Sequence, residues 1–410
     1  MISRTALWRA AAVLLTALAA ASGCVRPGTP IPAVPAQSAL DIGANEVRPL
    51  SAPPGNEQYG RVLESVRMAE ALLDPAEVDA ALNKGVAKRT GPLPTPREAV
   101  GVLAAPARKV LESHAMLAGY VVTGSEVEVQ QREVGTVRLL TVLLLRFPDS
   151  AAAQLAARQL DATDAAVNSD NVAVRIAGYP AAHGHWRPTA PTMAATLAHG
   201  SFVISVLAGH TAPDHAVLSG LVSKAFDVQL PRLREFQATP RERFAGLPLD
   251  PDGMVSRLLP YGNGQWPAPR AVVIDLDDQA GLGATISTSG VVYGPRGTRL
   301  LRTMGLDPAV EMLAMNGYNV LERFPDAVTA RRVVTGERRK TEANAASAAA
   351  APEGLPDVYC HKYEVSAPQW PVQFGCHVLF GRYSATIVGR NQTEARQRAA
   401  AQYLLLVNSA

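Results

Sequence analysis

Two histidines in alternate positions, His183 and His185, have a spacing that suits metal chemistry. They lie in a segment with strand character, and alternate side chains of a strand point to the same face of a sheet. The pair could therefore share a zinc ion with a third ligand such as His199 or His210. The alternative is a polar strand in which Trp186 packs against the sheet. We favour this second interpretation and predict no metal and no cofactor.

Other motifs that carry chemistry are missing or incomplete in the sequence. It contains no Gly-x-Ser-x-Gly elbow, no His-Glu-x-x-His pair and no glycine-rich phosphate loop. The acidic run that begins at Asp275 resembles the start of a calcium loop, but Gln279 and Ala280 replace the expected ligand and glycine. A solvated strand end is the simpler interpretation. Hydrolase and nucleotide-binding activities therefore lose their usual sequence support.

The amino terminus predicts export. Arg4 and Arg9 form a basic segment, and the apolar stretch that follows is shorter than the about 20 residues of a membrane-spanning helix. The sequence Ala-Ser-Gly-Cys at 21–24 resembles a bacterial lipobox, although alanine replaces the usual leucine. We predict a signal peptide at 1–23 and lipid on Cys24. An ordinary secretory signal followed by a chance cysteine is the alternative.

Residues 24–39 are predicted to form a tether. Their prolines favour an extended, semi-rigid chain rather than the start of a globular fold. Two acyl chains give stable anchoring without a transmembrane helix. We therefore expect the membrane to be a partner through the lipid anchor, at the outer face of the cell membrane or within the cell envelope.

Removal of the signal peptide leaves a nearly neutral chain. The 39 Lys+Arg residues minus Arg4 and Arg9 give 37, against 36 Asp+Glu residues. No cluster of basic residues interleaved with aromatic residues stands out, so we expect no nucleic-acid partner. With 48% hydrophobic residues over 410 positions, the chain is long enough for two folded units.

The two remaining cysteines, Cys360 and Cys376, are each followed by a histidine, which admits a zinc site. Both pairs lie in strand-like segments, where neighbouring side chains point to opposite faces, so a cysteine and the next histidine would rarely reach one ion. In an exported chain, paired thiols persist as disulfides. We therefore predict a disulfide, which closes a loop of about 15 residues and stabilises by about 3 kcal/mol in the chain-entropy model.

The tetrapeptide Arg-Phe-Pro-Asp occurs at 146–149 and again at 323–326, each time between a strand-like and an alanine-rich helical segment. Proline is tolerated at a helix start, and aspartate can cap the free amides there. Hairpin-like and helical segments follow each copy. This order predicts an α+β fold of two related ferredoxin-like units, with antiparallel sheets and helices on one face, formed by internal duplication. Chance similarity between two alanine-rich segments is the alternative.

Composition divides the exported chain into two domains. We place an N-terminal α+β domain at 40–235, a linker rich in proline, glycine and arginine at 236–269, and a C-terminal α+β domain at 270–410. Helical periodicity predicts a helix at 57–73. The alanine-rich stretch 341–353 contains no large apolar side chain and is predicted to be a mobile loop.

Five short segments resemble an uncharacterised two-domain lipoprotein family of mycobacteria, nocardiae and related actinobacteria, a domain of unknown function. These segments lie at 40–43, 61–69, 74–78, 292–296 and 324–327. The resemblance covers most of the exported chain. It implies a cell-envelope location and a two-domain build, and it implies neither an activity nor functional residues.

We expect a non-enzymatic module of the cell envelope that binds a partner protein, an envelope lipid or a small ligand. An apolar groove between the domains would favour a lipid or small ligand, and a flat apolar patch would favour a protein. The alternatives are a lipid or small-ligand carrier and an envelope enzyme. An enzyme would have a site between the halves that includes His183, His185 or Asp275.

Overall fold

The structure of the protein is a computed structural model. It describes residues 35–36, 39–86, 89–128, 135–262, 264–274, 285–343, 347–355, 357–363 and 373–409. These residues belong to one compact unit that begins at Pro35. The signal peptide at 1–23, Cys24 with most of the tether, and Asp275 lie outside the described residues, so what was predicted for them stays a prediction.

Nine α-helices lie within the described residues. They are α1 (Glu57–Met68), α2 (Pro75–Val78), α3 (Pro96–Ala99), α4 (Ala107–Ser113), α5 (Ser150–Ala165), α6 (His215–Glu235), α7 (Pro295–Leu300), α8 (Ala327–Ala343) and α9 (Gln392–Asn408). A 3-10 turn, Ala69–Ala71, extends α1, which confirms the helix predicted at 57–73 with a slightly shorter extent. Among these helices, none is long and apolar enough to cross a membrane.

The strands form two antiparallel sheets. Sheet 1 contains β1 (Lys84–Gly85), β2 (Gly91–Pro92), β3 (Ala118–Ser125), β4 (Leu139–Arg146), β5 (Val172–Ile176), β6 (Tyr179–Trp186), β7 (Thr192–His199) and β8 (Phe202–Gly209). Sheet 2 contains β9 (Arg270–Ile274), β10 (Thr285–Tyr293), β11 (Met312–Asn316), β12 (Asn319–Arg323), β13 (Ala348–Ala349), β14 (Val358–Lys362), β15 (Phe374–Phe380) and β16 (Tyr383–Gly389). The predicted α+β class with antiparallel sheets is confirmed.

Both sheets contain the same order of strands. In sheet 1 the order β3-β4-β8-β7-β6-β5 corresponds to β11-β12-β16-β15-β14-β13 in sheet 2. In each half, one helix follows the second strand and another follows the sixth. Each set of six strands therefore has two strands before the helix that interrupts it and four after it, more strands than the predicted ferredoxin-like unit contains. The shared order is what a duplication would produce, and the duplication itself stays a prediction.

Helices cover both faces of sheet 1. On the central strand β4, Leu140, Val142 and Leu144 pack with α1 and α6, whereas Leu143 and Leu145 pack with α4 and α5 on the opposite face. Sheet 2 is covered by α9 on one face and α8 on the other. The prediction of helices on one face is therefore wrong. The uninterrupted apolar run of β4 is typical of a strand that is buried on both faces.

The described residues of the predicted linker 236–269 form a packed segment, which we call the connecting segment. Phe244 lies against Gly60 of α1, where an added Cβ would meet the Phe244 side chain at 2.5 Å. Leu249 belongs to the apolar core of the first half, while Met254 and Leu258 belong to that of the second. The segment therefore contributes side chains to both cores.

The repeated tetrapeptide performs the same structural task in both halves. Phe147 and Phe324 are fully buried. Asp149 and Asp326 each accept a hydrogen bond from the amide three residues further on, at 2.8 and 2.7 Å, and so cap the first turns of α5 and α8. The predicted helix starts are confirmed.

The arginines of the two tetrapeptides both reach the connecting segment. Arg146 Nη1 donates to Oε1 of the completely buried Glu64 at 2.6 Å, and the same oxygen accepts from Thr239 N at 2.9 Å. In the second half, Arg323 Nη1 pairs with Asp252 at 2.9 Å. Thr239 and Asp252 both lie in the connecting segment, so charged hydrogen bonds join it to the end of β12 directly and to the end of β4 through Glu64.

The alanine-rich stretch 341–353 differs from the predicted loop. Its first three residues complete α8, and Ala348 and Ala349 form β13, which pairs with β14. Ala349 and Ala351 pack against the core of the second half. Helix propensity explains the first part, since alanine is the best helix former, and small side chains let β13 lie close to the core.

Cys360 and Cys376 form the predicted disulfide. They are direct partners on the neighbouring strands β14 and β15, with Cα atoms 4.0 Å apart. Both cysteines lie in the core beneath α9. On the other face of the sheet, the ring of His377 stacks on Tyr359, and the ring of His361 lies next to that of His377. The alternation that argued against a zinc site is observed.

Candidate functional site

Three carboxylates follow α1 and lie where the two halves of the chain meet. They are Glu70, Asp74 and Glu77. Asp74 and Glu77 form the capping box of α2, in which Asp74 accepts from Ala76 N at 3.0 Å and Glu77 accepts from Asp74 N at 2.9 Å. This local geometry fixes the position of two of the three carboxylates.

Glu70 caps a helix that belongs to the other half. Its carboxylate accepts from Gly297 N at 2.8 Å and from Arg296 N at 3.2 Å, both in the first turn of α7. Gly294, which precedes α7, has no capping side chain, and a Cβ there would lie 2.8 Å from Glu70. The unpaired amides of a helix start favour a negative charge. The glycine makes room for a carboxylate that the helix does not itself provide.

Glu77 lies between two arginines. It accepts from Arg296 Nη2 at 2.8 Å and from Arg232 Nη2 of α6 at 2.6 Å. Arg296 also donates through Nε to the carbonyl of Leu72 at 2.7 Å. Burial lowers the pKa of Arg296, and the negative charge of Glu77 opposes that change. One carboxylate thereby joins α2, α6 and α7.

A third arginine completes the contact. Arg302 pairs with Asp74 and donates to the carbonyl of Asn83 at 3.2 Å. We call the set of six side chains the interface cluster, which consists of Glu70, Asp74, Glu77, Arg232, Arg296 and Arg302. Its three negative and three positive charges balance. Sequence segments 74–78 and 292–296, which resembled a known family, both contribute to it.

Apolar side chains of both halves pack together beside the interface cluster. Residues of the second half that belong to the core built on α1 and sheet 1 are Val291, Tyr293, Leu300, Leu301 and Leu313. Tyr293 is buried beside Tyr120 of β3, and burial raises the pKa of both phenols. Side chains of the second half therefore join the core of the first, while sheet 2 and α9 form a second core.

A cavity of about 360 Å³ opens between the halves next to the Asp74–Arg302 pair. We call it the cleft. It is lined by Asp74, Asn83, Lys84, Gly85, Glu128, Thr298, Arg299, Leu301, Arg302, Leu306, Asp307, Pro308 and Val310. Its volume suits a small molecule. Its charged lining differs from the apolar groove that would favour a lipid.

The histidines that the sequence singled out do not line the cleft. His185 Nδ1 lies 2.8 Å from Asp161 Oδ1, and its Nε2 lies 3.5 Å from Asp164 Oδ2, both on α5. Burial by itself would lower the pKa of His185, but the hydrogen bonds to the two aspartates outweigh it and raise the pKa to about 9. His183 is on the same strand face without joining this ion pair. Sequence reasoning missed the aspartates, although their i,i+3 spacing on a helix was visible.

A second group of histidines lies on the α8 face of sheet 2. The ring of His377 stacks on Tyr359 with centroids 4.5 Å apart, and the ring of His361 is 5.3 Å from that of His377. Burial lowers the pKa of His361, and burial with the neighbouring His361 lowers that of His377 to about 3. Within the described ranges, no three His, Cys, Asp or Glu side chains are placed to hold a metal ion.

The shared core and the interface cluster define a two-part α+β protein whose halves form one body. Residues 51–249 match the N-terminal part, and residues 269–409 the C-terminal part, of a family described as a domain of unknown function, DUF7373. The chain belongs to this family, which confirms the resemblance to an uncharacterised two-domain family.

Two further comparisons add little. The extracellular domain of PknH from Mycobacterium tuberculosis, a crystal structure, is 13% identical with a TM-score of 0.28, over 45% of this chain and 100% of that domain. Such a TM-score does not indicate a shared fold. No curated protein matches the chain.

Glu70→Ala should destabilise the contact between the halves. We expect the free energy of unfolding to fall by about 1 kcal/mol, because two helix amides lose their cap, and hydrogen exchange at Gly297 to accelerate. The control is Glu112→Ala, which removes an exposed carboxylate that pairs within its own helix and should cost less than about 0.5 kcal/mol. Unchanged exchange at Gly297 in the Glu70 variant would contradict the capping role.

The His185 ion pair should make stability depend on alkaline pH. The pKa of His185 is raised above its ordinary 6.5 to about 9, so the pair contributes fully below pH 6.5 and is lost as the pH rises through 9. We expect the free energy of unfolding to fall by on the order of 2 kcal/mol over this window. Asp161→Asn should flatten the profile, whereas Asp170→Asn, which removes an exposed carboxylate, should not. Equal slopes in wild type and Asp161→Asn would refute the assignment.

Proposed function

We propose that the protein is an exported lipoprotein, anchored through Cys24 in the cell envelope, that acts as a binding module and not as an enzyme. The basic and apolar amino terminus and the Ala-Ser-Gly-Cys sequence support export and lipidation. The Cys360–Cys376 disulfide suits an oxidising compartment. The proposed anchor would leave the folded halves outside the cell membrane.

The cleft is the observation that carries the binding function. It is lined by side chains from both halves, which the interface cluster and the common core hold together. A site between rigidly joined elements is pre-organised, so binding loses little free energy to ordering of the protein.

The lining of the cleft favours a small polar ligand that carries charges of both signs. Two cations, Lys84 and Arg299, and two carboxylates, Glu128 and Asp307, line the cleft. None of the four forms an ion pair within the described chain. A bound acyl chain would remove such groups from water without replacing their hydrogen bonds, at a cost in free energy. A zwitterionic ligand would pair with them instead.

Gentle purification of the anchored protein from the envelope, followed by mass spectrometry, tests the ligand. We expect a small polar compound to co-purify with wild type and its recovery to fall about tenfold in Lys84→Ala and Arg299→Ala, because each variant loses a charged hydrogen bond. Arg339→Ala, an exposed arginine on α8, is the control. If no compound is recovered, or if all variants retain it equally, the cleft is not a binding site.

Cys24→Ser tests the anchor separately. We expect this variant to leave the membrane fraction and to lose the added mass of the acyl chains, because the hydroxyl does not replace the thiol as lipid acceptor. The matched control is Cys360→Ser with Cys376→Ser, which removes the other two cysteines and should stay membrane-bound. Membrane retention of Cys24→Ser would exclude lipid anchoring at this residue.

A further inference from the structure

A second cavity, of about 390 Å³, lies away from the cleft, at the end of sheet 2. Described residues from the later part of the connecting segment, Tyr261, Gly262 and residues 265–268, form one wall. Residues of β9, β10 and β11 form the other, where Arg270 and Ser289 are register partners and Ser289 is in turn the partner of Asn316. The cavity therefore lies over one face of the sheet edge.

Tyr261 is held as a fixed aromatic surface in this cavity. Its hydroxyl accepts from Tyr318 N at 3.0 Å, and Gly317, with φ +61°, approaches so closely that a Cβ would lie 3.0 Å from the ring. Nevertheless 48% of the Tyr261 surface remains exposed. The ring is oriented by the backbone around it and keeps an open face.

Arg398 of α9 supports the ring from outside the cavity lining. Its Cζ atom lies 5.3 Å from the Tyr261 ring centroid, a cation–π distance. The side chain is 6% exposed, and its Nε and Nη2 atoms have no hydrogen-bond partner in the described structure. Burial of a charge with unpaired donors is costly. The cation–π contact with Tyr261 offsets part of this cost and fixes the ring against α9.

The rest of the cavity combines an aromatic ring with uncharged polar groups. Trp266 lines it, and the buried indole Nε1 has no partner in the described chain. Gln265, Ser287 and Asn316 contribute amide and hydroxyl groups, and Arg270 lies at the exposed rim. The cavity thus offers flat apolar surfaces next to several hydrogen-bonding groups.

We propose that this cavity binds a neutral saccharide. A sugar ring has an apolar C–H face that can stack on Tyr261 and Trp266, and a rim of hydroxyls that both donate and accept hydrogen bonds. The exposed amide of Gln265 supplies both kinds of group, and the buried Asn316 accepts from Ser289 Oγ at 2.6 Å and so fixes the Ser289 hydroxyl in the cavity wall. An apolar ligand would cover the Gln265 amide without pairing it, and a proline-rich peptide would use the aromatic rings without needing the polar sheet face.

Saturation-transfer NMR on the full exported chain with a panel of neutral pentoses, hexoses and their disaccharides tests the proposal. We expect wild type to bind at least one sugar, and Tyr261→Ala to weaken that binding about tenfold, since the stacking surface is lost. Tyr261→Phe should bind within about threefold of wild type. Val328→Ala removes an exposed apolar side chain on α8, outside the cavity lining, and is the control.

Gln265→Ala keeps the test decisive if Tyr261→Ala does not fold, because Gln265 is exposed and its loss should leave the melting temperature unchanged while weakening sugar binding. Absence of binding to every sugar in the panel would overturn the proposal. So would equal affinity of wild type, Tyr261→Ala and Gln265→Ala, or selective binding of a proline-rich peptide in place of the sugars.

Discussion

The amino end of α7 lacks a capping side chain of its own. Its free amides need an acceptor from elsewhere, and this need joins the two halves of the molecule. Gly294 leaves the space, and Glu70 of the other half fills it with a carboxylate. Arg296, one residue into the same helix, then extends back to Glu77. Because helix amides and guanidinium groups must be paired when they leave water, the halves satisfy each other and neither is complete alone.

The connecting segment reinforces this arrangement. It supplies apolar side chains to both cores, its Asp252 accepts a hydrogen bond from Arg323, and its Thr239 N donates to the carboxylate of Glu64 that also pairs with Arg146. The buried carboxylate of Glu64 is the clearest case, since it is stabilised by Arg146 and by the backbone of Thr239 together. A chain built in this way holds the cleft between its halves at a fixed width, which is the condition for a pre-organised binding site.

The titratable groups divide into those used for structure and those available to a ligand. His185 is paired with Asp161, and His377 is buried against Tyr359. By contrast, Lys84 and Arg299 remain exposed in the cleft. Histidines attract attention in a sequence because of their chemistry, yet in this fold the proposed binding rests on charged and aromatic side chains with no distinctive motif.

The sequence by itself determined the features that depend on near neighbours or on chemical environment. Strand periodicity and the expectation of export were enough to predict the Cys360–Cys376 disulfide, and capping preferences were enough to predict the helix starts at Asp149 and Asp326. The antiparallel α+β class followed from the repeated order of such elements. The prediction that helices cover only one face of each sheet was wrong. The uninterrupted apolar run of β4 already indicated a strand that is buried on both faces.

Only the tertiary structure decided which distant groups meet. Glu70 and the helix it caps are separated by 227 positions, and Tyr261 lies against Arg398 from the opposite end of the second half. Local patterns specify each element and its buried face, whereas a contact of this kind depends on how several elements pack at once. Removing charges and amides from water costs free energy that is offset only where matching groups meet, and no short stretch of sequence contains both members of the pair.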